Sequence, residues 1–373
     1  MAWVLTGQGR RLRPKAGPII MMHASTSLTR APTPPRLCPR SIRPSHQRYS
    51  TRPSPLLQKR DGTAPPPGSW DAHMHLIDPA AFPLSPNAIY TPPAHTLPQA
   101  LSFYSSHPLL APLANLVIVQ PSIYGADNSC TLAALCALGP DRARAVVTLP
   151  PDAGPEMLFA WHALGVRGVR LNFKSVGRAV TAGELGRELR AAADAVRGFG
   201  WAVQVYLGLE SVPLLENVVR QDPPLGVRVV IDHLGHPTLP EAISGGSADQ
   251  GTKVAATAPH DPYALPGFAN LVRLLSGDGD SASCRKSSTW VKLSGAYRIE
   301  SDPALPWTSA MARELLRVAP ERVVFATDWP HTRFEGYDVV PFVERCLEWC
   351  AGDERVVERV FRQNAEELFD VRR

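Results

Sequence analysis

Three short stretches hold the residues that could do chemistry: Trp70-Asp71-Ala72-His73-Met74-His75, Val229-Val230-Ile231-Asp232-His233 and Val323-Val324-Phe325-Ala326-Thr327-Asp328-Trp329. Each is a short, largely apolar run closing on a histidine or an aspartate. In an extended strand alternate side chains share a face, so His73 and His75 project together. Two such imidazoles can bind one divalent ion or donate hydrogen bonds to one carbonyl oxygen. His233 and Asp328, each ending a further run, complete a set suited to one zinc or manganese ion. Asp328 could equally take a proton from water. A lone His-x-His is most often chance, and a lone aspartate a helix cap. Four such groups at three separate strand ends favour the chemical reading.

The elements that must position them follow a simple alternation. Eight apolar runs read as strands: 70–75, 116–120, 145–149, 168–173, 201–207, 227–233, 290–294 and 323–328. Most are rich in Val, Ile and Leu without strict alternation, which suits parallel strands buried on both faces. Helical patterns lie near 131–138, 155–164, 182–198, 211–220, 263–275, 307–318, 340–350 and 353–368. This βα repeat predicts an α/β fold of the (β/α)8 TIM-barrel type over 69–373. A doubly wound open sheet is the alternative. The first βα turn lacks a glycine-rich nucleotide fingerprint. In a barrel of this kind chemistry sits where strands end. Seven of the eight runs end in polar groups: His73 and His75, Gln120 and Ser122, Arg170 and Asn172, Tyr206, His233, Lys292 and Ser294, and Asp328.

Composition sets limits on function. The net charge is +5, but residues 1–60 hold twelve of the 39 Lys and Arg and no acid. The rest carries 27 basic against 34 acidic residues, a net of −7, which gives no support to nucleic-acid binding. No apolar run reaches membrane-span length. The six cysteines lack framework spacing and read as free thiols, with Cys346 and Cys350 packing on one helix. Residues 1–68 read as a disordered basic leader ending in the linker Pro65-Pro66-Pro67-Gly68. Their Arg, Ser and absence of acids resemble a mitochondrial transit peptide, with Arg48-Tyr49-Ser50 like a processing site, and predict a matrix protein. The alternative is a basic tail on a cytoplasmic one. Segments 241–260 and 276–288 are small, polar and read as insertions.

The body from 69 to about 370 resembles the amidohydrolase superfamily, in its amidohydrolase 2 branch and within it the 2-pyrone-4,6-dicarboxylate lactonase-like group. The resemblance rests on Asp71-x-His73-x-His75 and Gln120-Pro121-Ser122-x-Tyr124-Gly125-x-Asp127-Asn128. It also rests on Gly165-Val166-Arg167-Gly168-Val169-Arg170-Leu171-Asn172, Ile231-Asp232-His233-Leu234-Gly235, Val291 to Arg298, and Thr327-Asp328-Trp329-Pro330-His331. It implies a hydrolase of a cyclic ester that carries carboxylates. His73, His75 and His233 would polarise the carbonyl, and Asp328 would activate water and return the proton to the leaving oxygen. Such a site works with or without a divalent metal, zinc or manganese, held by His73, His75, His233 and Asp328. The substrate would be a small carboxylate, bound by Tyr90, Ser122, Tyr124, Arg170, Tyr206 and Arg298, with Lys174 and Arg178 competing for one further basic place. Arg167 is expected to face the helices and His236 to lie in a loop. Two alternatives remain: a zinc-dependent, non-oxidative decarboxylase on the same barrel, and a barrel that binds without catalysis.

Overall fold

The computed structural model describes residues 63–240, 260–277 and 288–371. The leader to residue 62 and most of both polar insertions lie outside them. All eight expected runs are strands: β1 Trp70–Met74, β2 Asn115–Val119, β3 Ala143–Val147, β4 Val166–Asn172, β5 Ala202–Tyr206, β6 Arg228–Ile231, β7 Thr289–Leu293 and β8 Val323–Phe325. Every neighbouring pair is parallel, in the order β1 to β8. The barrel closes through loop backbone rather than a full ladder. Asp328 N–H donates to His73 O at 2.9 Å and His75 N–H to Trp329 O at 2.8 Å. The buried Asp71 carboxylate adds to the seam, accepting from the Thr327 N–H and hydroxyl and from the Tyr104 hydroxyl.

The strand residues divide into two apolar clusters, as a closed barrel requires. Leu116, Ile118, Val203, Val205, Val229, Ile231, Val291 and Leu293 pack with helix residues such as Leu185, Leu215 and Leu271. The alternate set, Trp70, Ala72, Val117, Val119, Val146, Ala202, Val230, Trp290 and Val324, packs inside the barrel. Phe369 and Leu368 join that set and plug it. The helices around it are α1 Leu97–Ser105, α2 Ser129–Leu138, α3 Pro155–Leu164, α4 Ala182–Val196, α5 Val212–Val219 and α6 Phe268–Ser276. They continue with the single turn α7 Ala296–Ile299, then α8 Pro306–Val318 and α9 Val340–Trp349. The expected last helix is present with a π-turn at Arg359–Gln363.

Helix α1 has no counterpart in the hydrophobic pattern. Only Ala100 and Tyr104 of its nine residues are buried, too few for a periodic stripe. Its signal is the capping box of Thr96 and Gln99. Cys346 and Cys350 are buried and unbridged, as packing residues should be.

Candidate active site

β1 delivers the first two imidazoles with an irregularity that alternation does not foresee. Its pairing register with β2 shifts between Asp71 and Met74. Ala72 faces the barrel interior, yet the neighbouring His73 ring also sits inside, beside Asp232 and Lys292. A bulge of this kind re-aims the strand. Beyond it Met74 turns to the helices, and His73 and His75 bring their Nε2 atoms to 3.2 Å. The shared face expected for the two histidines is observed.

His233 follows β6 on a left-handed turn, with φ of 50° at His233, 55° at Leu234 and 44° at His236. Non-glycine residues seldom adopt this region, and where they do, function is a fair inference. The His233 ring lies against Gly295, where an added Cβ would stand 2.8 Å from Nδ1. Asp328, also left-handed at 62°, completes the group. Its Oδ1 lies 3.8 Å, 3.6 Å and 4.0 Å from the Nε2 atoms of His73, His75 and His233. Its Oδ2 accepts from Tyr297 Oη and Arg298 Nε, both at 2.7 Å. Burial would raise the Asp328 carboxyl, but Arg298 and the three imidazoles hold it well below the usual range. It is therefore an anion with one bonded oxygen and one free one.

The imidazoles are neutral at ordinary pH. Desolvation lowers His75 and His233 to about 4, with Asp328 opposing in both. Desolvation and then Lys292 push His73 well down. His75 Nδ1 lies 2.8 Å from the Val119 carbonyl and so must donate to it, which leaves a lone pair on its Nε2. His233 Nδ1 meets Ser294 Oγ at 2.8 Å.

Two carboxylate oxygens of this site have no hydrogen-bond partner among the described residues: Asp328 Oδ1 and Asp232 Oδ1. This pattern fits a divalent cation. An ion among three Nε2 atoms and Asp328 Oδ1 would take up the first oxygen. It would also require a proton on His73 Nδ1, 3.3 Å from the second.

Beneath the site lies a charged network that the sequence reading did not assign. Asp232 Oδ2 accepts from Arg170 Nε and Nη2 at 3.2 and 3.0 Å and from Gln204 Nε2 at 3.0 Å. Lys292, wholly buried, donates to Gln204 Oε1 at 2.7 Å and stands 3.4 Å from His73 Nδ1. Desolvation brings its amine down to about 8, against the pull of Asp232. The signal was present, since Asp232, Lys292 and Tyr297 all stand in the motifs quoted above.

The cavity over this group is about 390 Å³. Of the expected residues it brings together His75, Tyr90, Ser122, Arg170, Lys174, Tyr206, His233, Arg298 and Asp328. His73 is buried just behind them. Two expected residues stand elsewhere. The Tyr124 hydroxyl accepts the Asp78 N–H at 2.9 Å, in a buried position under the first loop. Arg178 turns outward to pair with Glu188 on α4 and covers Phe173. Of the two basic candidates after β4, Lys174 therefore faces the cavity. His236 also differs from expectation. The left-handed turn swings it into the cavity wall, 2.8 Å from the Tyr206 hydroxyl. Arg167 faces away from the cavity, as expected, donating to the His162 carbonyl. Thr332, Arg333 and Phe334 line the cavity from the loop after β8 and had no sequence signal.

The amidohydrolase family model matches residues 70–371. A 4-sulfomuconolactone hydrolase of Hydrogenophaga intermedia is 31% identical over 274 residues, covering 72% of this chain and 77% of its own. A 2-pyrone-4,6-dicarboxylate hydrolase of Comamonas testosteroni is 30% identical over 276 residues, covering 73% and 80%. Among solved structures, a putative 2-pyrone-4,6-dicarboxylic acid hydrolase from Pseudomonas putida superposes with a TM-score of 0.60 at 27% identity. That match covers 81% of this chain and 97% of the other.

Proposed function

The chain belongs to the amidohydrolase family and is a hydrolase, and from that premise we propose that it opens a lactone ring bearing anionic substituents. One observation carries this reading. The free, buried Oδ1 of an ionised Asp328 faces three imidazole Nε2 atoms on the floor of a cavity with basic walls. Two relatives are named as hydrolases of lactone-type substrates, a sulfomuconolactone and a pyrone dicarboxylate.

The residues divide the work as follows. Asp328 Oδ1 takes a proton from water, and the resulting hydroxide adds to the ring carbonyl. Arg298 and Tyr297 fix Oδ2, so the carboxylate presents Oδ1 alone. His75, with its lone pair set by Val119, accepts from the attacking water. With no ion bound and their protons on Nε2, His73 and His233 donate to the carbonyl oxygen, where one donor is worth about 2.7–4 kcal/mol by analogy with oxyanion holes. When the tetrahedral centre collapses, the ring C–O bond breaks and Asp328 returns its proton to the leaving oxygen. His73, His75, His233 and Asp328 would also hold a divalent ion, which when bound supplies Lewis-acid polarisation of a carbonyl.

The test follows the ultraviolet band of 2-pyrone-4,6-dicarboxylate with purified protein and with Asp328→Ala as blank. Loss of the band with the wild type alone is the expected result. Release of carbon dioxide in place of ring opening would turn the reading to decarboxylation.

A further inference from the structure

The charges around the cavity do not pair evenly. Among the described residues four cations line it, Arg170, Lys174, Arg298 and Arg333, and Asp328 is the one acidic residue of the lining. Arg170 is bound through two nitrogens to Asp232 beneath the floor. Arg298 places Nε on Asp328 and Nη2 near the Thr332 carbonyl at 3.3 Å. Both arginines that the sequence marks for substrate binding therefore already hold a carboxylate of the protein. The side chains of Lys174 and Arg333 hold none, although the Arg333 backbone N–H donates to Glu335 Oε1 at 3.3 Å. Among the described residues neither side chain has a hydrogen bond or an ion pair.

Arg333 is also held in place. Its guanidinium carbon lies 4.2 Å over the ring of Tyr90, a cation–π contact that uses none of its N–H groups. Its backbone is left-handed, at φ 71°, an uncommon conformation for a branchless cationic residue outside glycine positions. Lys174 follows β4 and Arg333 follows β8. In a closed barrel ordered β1 to β8 these strands stand opposite each other, and both free cations line the one cavity.

Resting on the lactone-hydrolase reading, we propose that Arg333 is a substrate-binding residue working opposite Lys174. Each receives one acidic group of the substrate, and the enzyme selects a ring that carries two separated anionic groups. Arg170 and Arg298 shape the floor and orient the two internal aspartates.

The test is equilibrium binding, which needs no turnover. Benzene-1,3-dicarboxylate and benzoate serve as unreactive probes, titrated by calorimetry into wild type, Arg333→Met, Lys174→Met and the double variant. Arg333 is exposed, so its removal should leave the melting temperature unchanged, and this is checked alongside. The wild type should prefer the dianion by about tenfold or more, the worth of one charge-assisted contact. Either single variant should lose that preference while binding benzoate within about threefold of wild type. Added salt should erode the wild-type preference. The proposal falls if the wild type does not bind the dianion, or binds it no better than benzoate. It also falls if Arg333→Met binds both probes as the wild type does, or weakens both equally. Failure of the wild type to open the pyrone would sink the lactonase reading and leave this binding result standing.

Discussion

In the lower half of the barrel interior, Trp70, Ala72, Val117, Val119, Val146, Val230 and Val324 are sealed from water with Phe369 as the plug. In the upper half the same strands present His73, Arg170, Gln204, Asp232, Lys292 and Asp328, nearly as deeply buried. β7 shows the change along one strand, from Trp290 to Lys292, with Ser294 just past its end. Burial is thus nearly equal in the two halves and the energetic result is opposite. Apolar burial stabilises at about 25 cal/mol per Å². Buried ions must recover their desolvation from each other and from hydrogen bonds. The upper half does so incompletely, leaving Asp232 Oδ1 and Asp328 Oδ1 without hydrogen-bond partners. It also holds non-glycine residues at positive φ. The lower half supplies the stability that lets the upper half remain unsatisfied, and an unsatisfied carboxylate oxygen is what the general base proposed above requires.

The comparison can be broken from either side. The largest effect is expected at Asp328→Asn, which should lower kcat by about 10²–10⁴-fold while the protein still folds. Steady-state rates and circular dichroism on the same sample check this, and a variant with wild-type turnover ends the assignment. Phe369→Ala should act in reverse, costing about 3–5 kcal/mol of stability with kcat unchanged below the melting transition. Urea denaturation measures it. A loss of kcat in the fully folded variant would show that the halves are not separable.

Zinc or manganese should stabilise only through the upper half. At a hundredfold excess over Kd the gain is about 2.7 kcal/mol, lost in His75→Ala and kept in Phe369→Ala. Thermal melting with and without a chelator reads it. The neutral imidazoles set a pH window. Unfolded histidines take up protons near 6.5, whereas folded His75 and His233 do so at about 4. Between these values the unfolded chain binds more protons, so stability rises with pH. Their contribution is complete above 6.5 and is lost as pH falls to about 4. Denaturation of the chelator-treated protein from pH 4.5 to 7.5 should show this slope, shallower in His233→Gln. A wild-type profile no steeper than that of the variant would mean the rings are not buried neutral. Tyr297→Phe should have the smallest effect, removing one of two bonds to Asp328 Oδ2 for about 0.5–1.5 kcal/mol, read as a modest fall in kcat.

Much of this arrangement was legible in residue order. A run of β-branched and aliphatic residues flanked by helical periodicity is a local signal, so all eight strands could be found. The i, i+2 spacing likewise fixed His73 and His75 on a common face. The rest depends on contacts between elements distant in the chain. Whether Arg170 meets substrate or Asp232 is decided by the packing of β4 near β6. Whether Lys174 or Arg178 faces the cavity depends on Glu188 of α4, which draws Arg178 outward. His236 enters the wall because three non-glycine residues, His233, Leu234 and His236, adopt left-handed backbone conformations, a feature that no propensity forecasts.

By itself the sequence determined the barrel and which strand ends carry His73, His75, His233 and Asp328, because period, strand length and residue type are local properties. Only the tertiary structure decided which cations are already neutralised and which are free. It also decided that one oxygen of Asp328 is left unbonded, and that a bulge in β1 turns both histidines inward. Charge pairing and orphaned oxygens are set by distances across the barrel, and those distances exist only once the eight strands have closed.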